Sequence, residues 1–263
     1  MSGTGSVEAA LRSRREAGGK ALVAYVTGGL GDDWIETVRA VVVAGADVVE
    51  IGLPFSDPVM DGPTIQAAND RALATGATPV GILDDLRGAD VEVPLAVMTY
   101  YNIAFRAGLE RFAATLVDCG IAGCILPDLP LEETGPWILA AERAGVETIL
   151  LAAPTAPDER LPAVCARSRG FVYAVGLLGV TGVRNELAAS AVEIATRLKA
   201  VTDLPVLVGV GVGTPAQAVE ASAHCDGVVI GSAVVQRMLD GGGPEGVGAL
   251  VAEFRAALDE AFS

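Results

Sequence analysis

Glu50, Asp57 and Asp61 crowd into residues 49–62, Val-Glu-Ile-Gly-Leu-Pro-Phe-Ser-Asp-Pro-Val-Met-Asp-Gly. The stretch begins as the end of an apolar strand, residues 46–51, and continues as a loop stiffened by Pro54 and Pro58. A carboxyl group at the end of such a strand is poorly solvated, and desolvation lifts its pKa toward the range useful for proton transfer. A second acid eleven residues later, Asp61, can face the same cavity. One group can then move a proton while the other stays charged. A solvated loop with ordinary acids is the plain alternative. The coincidence of a strand-end Glu with a long, Pro-stiffened loop favours catalysis, and Glu50 and Asp61 are the candidate pair.

Further chemistry-bearing residues lie late in the chain. Gly209-Val-Gly-Val-Gly213 lacks the G-x-G-x-x-G spacing of a dinucleotide fingerprint and suits a phosphate site better. Gly211 lets backbone approach an anion. Gly231-Ser232 heads a short helix whose free N–H groups and hydroxyl complete such a cradle. Residues 176–185 carry Gly179-Val-Thr-Gly182 and exposed Leu177-Leu178, the pattern of a mobile lid. Tyr25, Tyr100 and Tyr173 fall near strand ends, where they can touch a flat apolar substrate or simply fill the core. Asp128, between two prolines, is either a turn residue or a partner contact.

The elements that must position these residues alternate. Apolar strands are expected at 21–27, 46–51, 94–100, 123–126, 147–153, 170–175, 205–208 and 227–230, each followed by a helical pattern. Runs that are apolar throughout are the mark of parallel strands buried on both faces. Gly45, Gly120 and Gly145 each close a helix just before the next strand. Eight such units favour a (β/α)8 barrel over a doubly wound open sheet. An extra helix is expected before the first strand (6–17) and another at the end (246–262). No linker divides the chain, so residues 1–263 read as one domain. In a barrel the carboxyl ends of the strands share one mouth, which gathers Glu50, Tyr100, Asp128, Tyr173, Gly211 and Gly231.

Composition narrows the partners. The net charge of −15 argues against nucleic acid and anionic membrane, because phosphate neutralisation needs Lys and Arg. A small phosphate ester remains open, since backbone N–H groups can bind it. Two lysines leave few candidates for a Schiff base. The four cysteines have no CxxC spacing and read as buried free thiols, and the one histidine cannot by itself make a metal site, so no metal is expected. No apolar run reaches the ~18–20 residues of a membrane span, and no signal peptide is visible, so a cytoplasmic location is expected.

The stretch from Glu50 to Gly62 resembles the signature of the tryptophan synthase alpha chain: Glu, aliphatic, Gly, two residues, aromatic, Ser, Asp, Pro, two residues, Asp, Gly. The resemblance extends over almost the whole chain, through Thr27-Gly28, Tyr100-Tyr-Asn102, Pro127-Asp-Leu-Pro130, Gly179-Val-Thr-Gly182, Gly211 and Gly231-Ser-Ala233. It implies a (β/α)8 barrel that cleaves indole-3-glycerol phosphate to indole and glyceraldehyde 3-phosphate without a cofactor of its own. By that resemblance Glu50 handles the proton at indole C3, and Asp61 binds the indole N–H and offsets charge on the ring. Tyr173 lies beside them, and Thr181 meets Asp61 when the lid closes. Gly182, Gly211, Gly231 and Ser232 hold the phosphate. The partner implied is a beta chain carrying pyridoxal phosphate, in an α2β2 tetramer. The loop 54–61, with Pro54, Phe55 and Pro58 expected to be exposed, is a docking surface expected from its apolar residues. Two departures stand out: the lid lacks the Arg common in relatives, and Tyr25 stands where Phe is common.

Overall fold

The computed structural model describes residues 5–176, 184–209 and 212–262. Eight strands close into a barrel in chain order, and every neighbouring pair is parallel. They are β1 Ala21–Thr27, β2 Val48–Gly52, β3 Leu95–Met98, β4 Ile121–Ile125, β5 Glu147–Ala152, β6 Val172–Ala174, β7 Val206–Val208 and β8 Gly227–Ile230. All seven residues of β1 and all five of β2 are buried. Such strands are covered on one face by barrel interior and on the other by helices, which is why they carry no polar alternation.

The two faces hold separate cores. Val23, Val48, Ala96, Ile125, Ile149, Phe171, Leu207 and Val229 pack together inside the barrel, joined by Val7 and Leu11 of the first helix, Ser6–Glu16. That helix plugs the amino-terminal end of the barrel. Outward-facing residues such as Val49, Ile51 and Val97 pack with the helices in a second, larger cluster. The expected barrel with its additional terminal helices is the observed fold. The last helix runs Gly243–Ala261, three residues earlier than its periodicity suggests, because Gly242-Gly243-Pro244 supplies a start with Pro in the first turn.

Other boundaries moved for local reasons. Gly45, Gly120 and Gly145 have φ of 99°, 76° and 87° and end their helices as expected. A helix not foreseen, Tyr101–Ala107, follows β3, and Gly108 at φ 85° separates it from Leu109–Asp118. Its first turn is capped by Asp128, whose Oδ1 accepts the Tyr101 N–H at 2.8 Å. This decides the role of Asp128 within the fold: it ties the loop after β4 to the helix after β3. Glu132 and Glu133 form a 3-10 turn, and the α-helix proper begins at Gly135. All four cysteines are buried free thiols.

One carboxylate caps the first turn of the plug. Glu147, at the start of β5, accepts the N–H groups of Val7 at 2.8 Å and Glu8 at 2.9 Å. These are first-turn donors with no partner inside the helix, and the negative charge suits the helix dipole. Glu147→Ala should lower unfolding stability by about 1–3 kcal/mol, the usual cost of orphaning buried donors. Urea unfolding checks this, and Glu147→Gln, which keeps one acceptor, should lose less.

Candidate functional site

Glu50 is the third residue of β2, Val48–Gly52, and the strand continues one residue past the expected end at Ile51. It alternates with the inward-facing Val48 and therefore points into the barrel. The side chain is 1% exposed, and neither carboxylate oxygen has a hydrogen-bond partner among the described residues. Burial, with a smaller push from the charge of Asp61, raises its pKa to about 8.

Asp61 lies in the loop that follows. Its N–H donates to the Pro58 carbonyl at 3.1 Å, and its own carbonyl accepts from Gln66 Nε2 at 2.8 Å. The next helix, Pro63–Ala74, starts with Pro in its first turn as expected. Nearly two turns into it, Asn69 donates from Nδ2 to Asp61 Oδ2 at 3.2 Å. Burial raises Asp61 to about 6, while hydrogen bonds from Tyr100 and Asn69 hold it down. Near neutral pH the pair is thus one carboxylic acid and one carboxylate, the division of labour that acid–base chemistry requires.

Aromatic rings wall the mouth. Tyr25 pairs with Glu50 across β1 and β2 and is 4% exposed. Tyr173 on β6 is buried as well. Burial, then neighbouring acids, raises both phenols well above their ordinary pKa. Tyr100 stacks on Phe55 with ring centroids 4.8 Å apart, and its hydroxyl accepts the Met60 N–H at 2.9 Å. Gly231 sits beside Tyr25: a Cβ there would stand 3.7 Å from that of Tyr25. Ser232 opens the helix Ser232–Leu239 with no side-chain cap, leaving first-turn N–H groups free to bind an anion.

The structure therefore brings Glu50, Asp61, Tyr25, Tyr100, Tyr173, Gly231 and Ser232 to the carboxyl ends of the strands. Thr181, Gly182, Gly211 and the Leu177-Leu178 lid segment lie outside the described residues. The docking loop needs correction. Pro54 is buried, and Phe55 and Pro58 are half-buried, because the Phe55 ring lies on Tyr100. The exposed apolar residues of that loop are Val59 at 77% and Met60 at 44%. Asn69 escaped the sequence reading. Its one available signal was spacing: eight residues after Asp61, in the middle of the helix that Pro63 starts. Among the described residues no three His, Cys, Asp or Glu side chains are grouped to hold a metal ion.

Comparison with known proteins decides the family. The sequence model of the tryptophan synthase alpha chain matches residues 11–256. This chain belongs to that family. A tryptophan synthase alpha chain from Thermobifida fusca is 47% identical over 236 residues, covering 88% of this chain and 87% of its own length. One from Streptomyces coelicolor is 46% identical over 256 residues, covering 92% and 93%. A solved tryptophan synthase from Mycobacterium tuberculosis superposes with a TM-score of 0.89 at 37% identity, covering 97% of this chain and 99% of its own. Membership in the tryptophan synthase alpha chain family makes the chain a lyase of tryptophan biosynthesis.

The buried acid has a thermodynamic consequence. Glu50 holds its proton in the folded chain up to about pH 8, whereas the unfolded chain releases it near pH 4.3. Between those values the unfolded state binds fewer protons, so this group lowers stability as pH rises. Glu50→Gln removes the loss. The variant should match the parent near pH 4–5 and exceed it at pH 8 by up to about 4 kcal/mol, from linkage over that window. Thermal unfolding at the two pH values measures the difference.

Proposed function

We propose that this chain cleaves indole-3-glycerol phosphate to indole and glyceraldehyde 3-phosphate. The observation that carries the reading is the pair of facing acids, one that keeps its proton near neutral pH and one that gives it up. Breaking the bond between indole C3 and the glycerol chain is a retro-aldol step. Glu50 protonates C3. The positive charge that appears at the ring nitrogen is offset by Asp61, which accepts the ring N–H. The Glu50 carboxylate left behind then takes the proton of the carbinol hydroxyl as the carbon–carbon bond breaks. That bond's electrons restore the indole ring, the carbinol becomes an aldehyde, and Glu50 regains its proton.

Tyr25, Tyr100 and Tyr173 give the flat ring its walls. Gly231 and Ser232, with Gly182 and Gly211, bind the phosphate through backbone N–H groups and a hydroxyl, which suits a chain of net charge −15. Thr181 is assigned to meet Asp61 on closure. The reaction as written needs no cofactor or metal in this chain. Turnover of indole-3-glycerol phosphate by the isolated chain, with release of indole, tests the assignment. Glu50→Gln and Asp61→Asn should each lower kcat at least ~10²-fold while leaving substrate binding within a few fold. The parent's kcat/KM should rise with pH through about 6 as Asp61 ionises and fall through about 8 as Glu50 loses its proton.

The same reading gives the chain a beta-chain partner carrying pyridoxal phosphate, in an α2β2 assembly in the cytoplasm, which consumes the indole. Among the described residues no helix is long and apolar enough to cross a membrane. Apolar side chains stand in solvent on the site's rim, where water alone does not favour them. Val59 and Met60 project from the Asp61 loop. A partner seated there fixes the loop and so places Asp61, raising the population of the productive geometry. Val59→Asp should weaken beta-chain binding about tenfold or more and reduce activation, with lyase activity of the isolated chain within about twofold of the parent. Calorimetric titration alongside turnover checks both halves.

A further inference from the structure

Tyr25 occupies a place that the acid pair and the phosphate cradle leave between them. β1 lies between β8 and β2 in the closed sheet. The root of the Tyr25 side chain adjoins Gly231: a Cβ on that glycine would be 3.7 Å from Tyr25 Cβ and 3.9 Å from Cγ. The far end of the ring reaches the opposite neighbour. A Cβ on Gly52 would stand only 1.7 Å from the Tyr25 hydroxyl oxygen. Gly52 is two residues beyond Glu50 on β2, hence on the same inward face. The phenol therefore spans from the proposed phosphate end, at β8, to the proton-transfer end, at β2, and its hydroxyl lies above the Glu50 position.

A substrate whose phosphate sits at Gly231 and whose reacting carbon sits at Glu50 must lay its connecting chain across this ring. In indole-3-glycerol phosphate that chain carries two hydroxyl groups. We propose that the Tyr25 hydroxyl hydrogen-bonds to the hydroxylated chain of the substrate, which makes Tyr25 the residue that selects a glycerol chain over a plain alkyl one. Burial and the nearby acids keep the phenol protonated through the working pH range, so it is available as a donor. The inference rests on the lyase reading above and sharpens the role of one residue within it.

The test compares two esters: indole-3-glycerol phosphate and 3-(indol-3-yl)propyl phosphate, which lacks both hydroxyls. Binding is measured by calorimetry in Glu50→Gln, where turnover is suppressed, and in Glu50→Gln with Tyr25→Phe. The phenylalanine keeps the ring and removes only the oxygen. Loss of one neutral hydrogen bond should weaken the glycerol ester about 3- to 10-fold and leave the propyl ester within twofold. In the otherwise unaltered chain, Tyr25→Phe should lower kcat/KM by a similar factor. Equal change for both esters, or no change for the glycerol ester, overturns the inference. A parent chain that binds both esters but releases no indole overturns the lyase reading instead. A parent chain that binds neither overturns both.

Discussion

A carboxyl group without a hydrogen-bond partner, enclosed in the wall of an apolar barrel, is unfavourable as an ion, and Glu50 is in that position. The barrel cannot relieve it locally, because Tyr25 and Ala96, its register partners on β1 and β3, offer no charge to pair with it. The group responds by keeping its proton, which is what a general acid needs. Stability is supplied at the opposite end. There Asp47 accepts the Leu22 N–H at 2.8 Å and pairs with Arg14 at 2.9 Å. Asp226 accepts the Val206 N–H and pairs with Lys199, both at 2.8 Å. Every one of these acids is answered by a donor. The barrel thus separates satisfied acids at its amino-terminal end from an unsatisfied one near its mouth, the division expected of this architecture.

Asp61 is held differently. Glu50 is fixed by a strand paired on both sides, whereas Asp61 hangs on a loop restrained by a few discrete contacts: the turn at Pro58, the Tyr100–Met60 hydrogen bond, the Phe55–Tyr100 stack and Asn69. Asn69 is buried, and its Oδ1 has no partner among the described residues. The amide is therefore oriented by the Asp61 carboxylate alone. An ionised Asp61 rewards that orientation and a protonated one does not. Loop geometry and Asp61 charge are coupled through this contact and the hydrogen bond from Tyr100, so anything that settles the loop also favours the charged form.

Much of this was legible in the sequence because the informative residues are local in the chain. Glu50 and Asp61 stand in one stretch, Pro63 announces the helix that follows, and the glycines at 45, 120 and 145 mark helix ends through their left-handed backbone. Closure of the barrel followed from counting apolar runs. What escaped depends on contacts between distant segments. Asp128 reads equally as a turn residue or a partner contact until the helix beginning at Tyr101 is seen to need its cap. Phe55 looks like an exposed docking residue until Tyr100, 45 positions later, is found beneath it. β2 runs past Ile51 to Gly52 because β3 offers a backbone partner, Met98, opposite Gly52, and the apolar pattern of one strand carries no information about its neighbour's length.

The mouth also shows a regularity that composition could only hint at through its many glycines. Tyr25 on β1 leans over Gly52 on β2, and Tyr173 on β6 leans over Gly209 just past β7. In both cases a Cβ on the glycine would lie 2.0 Å or less from the ring or its hydroxyl. The missing side chain on one strand is therefore the space filled by the large one on the strand before it. The two rings lie over the glycines of the following strands and bound the space at the mouth of the barrel. A methyl group at either glycine would push its tyrosine inward and narrow that space. The glycines thus set the shape of the site through the rings they admit, and the two tyrosines, both buried and both protonated, supply polar edges to walls that are otherwise apolar.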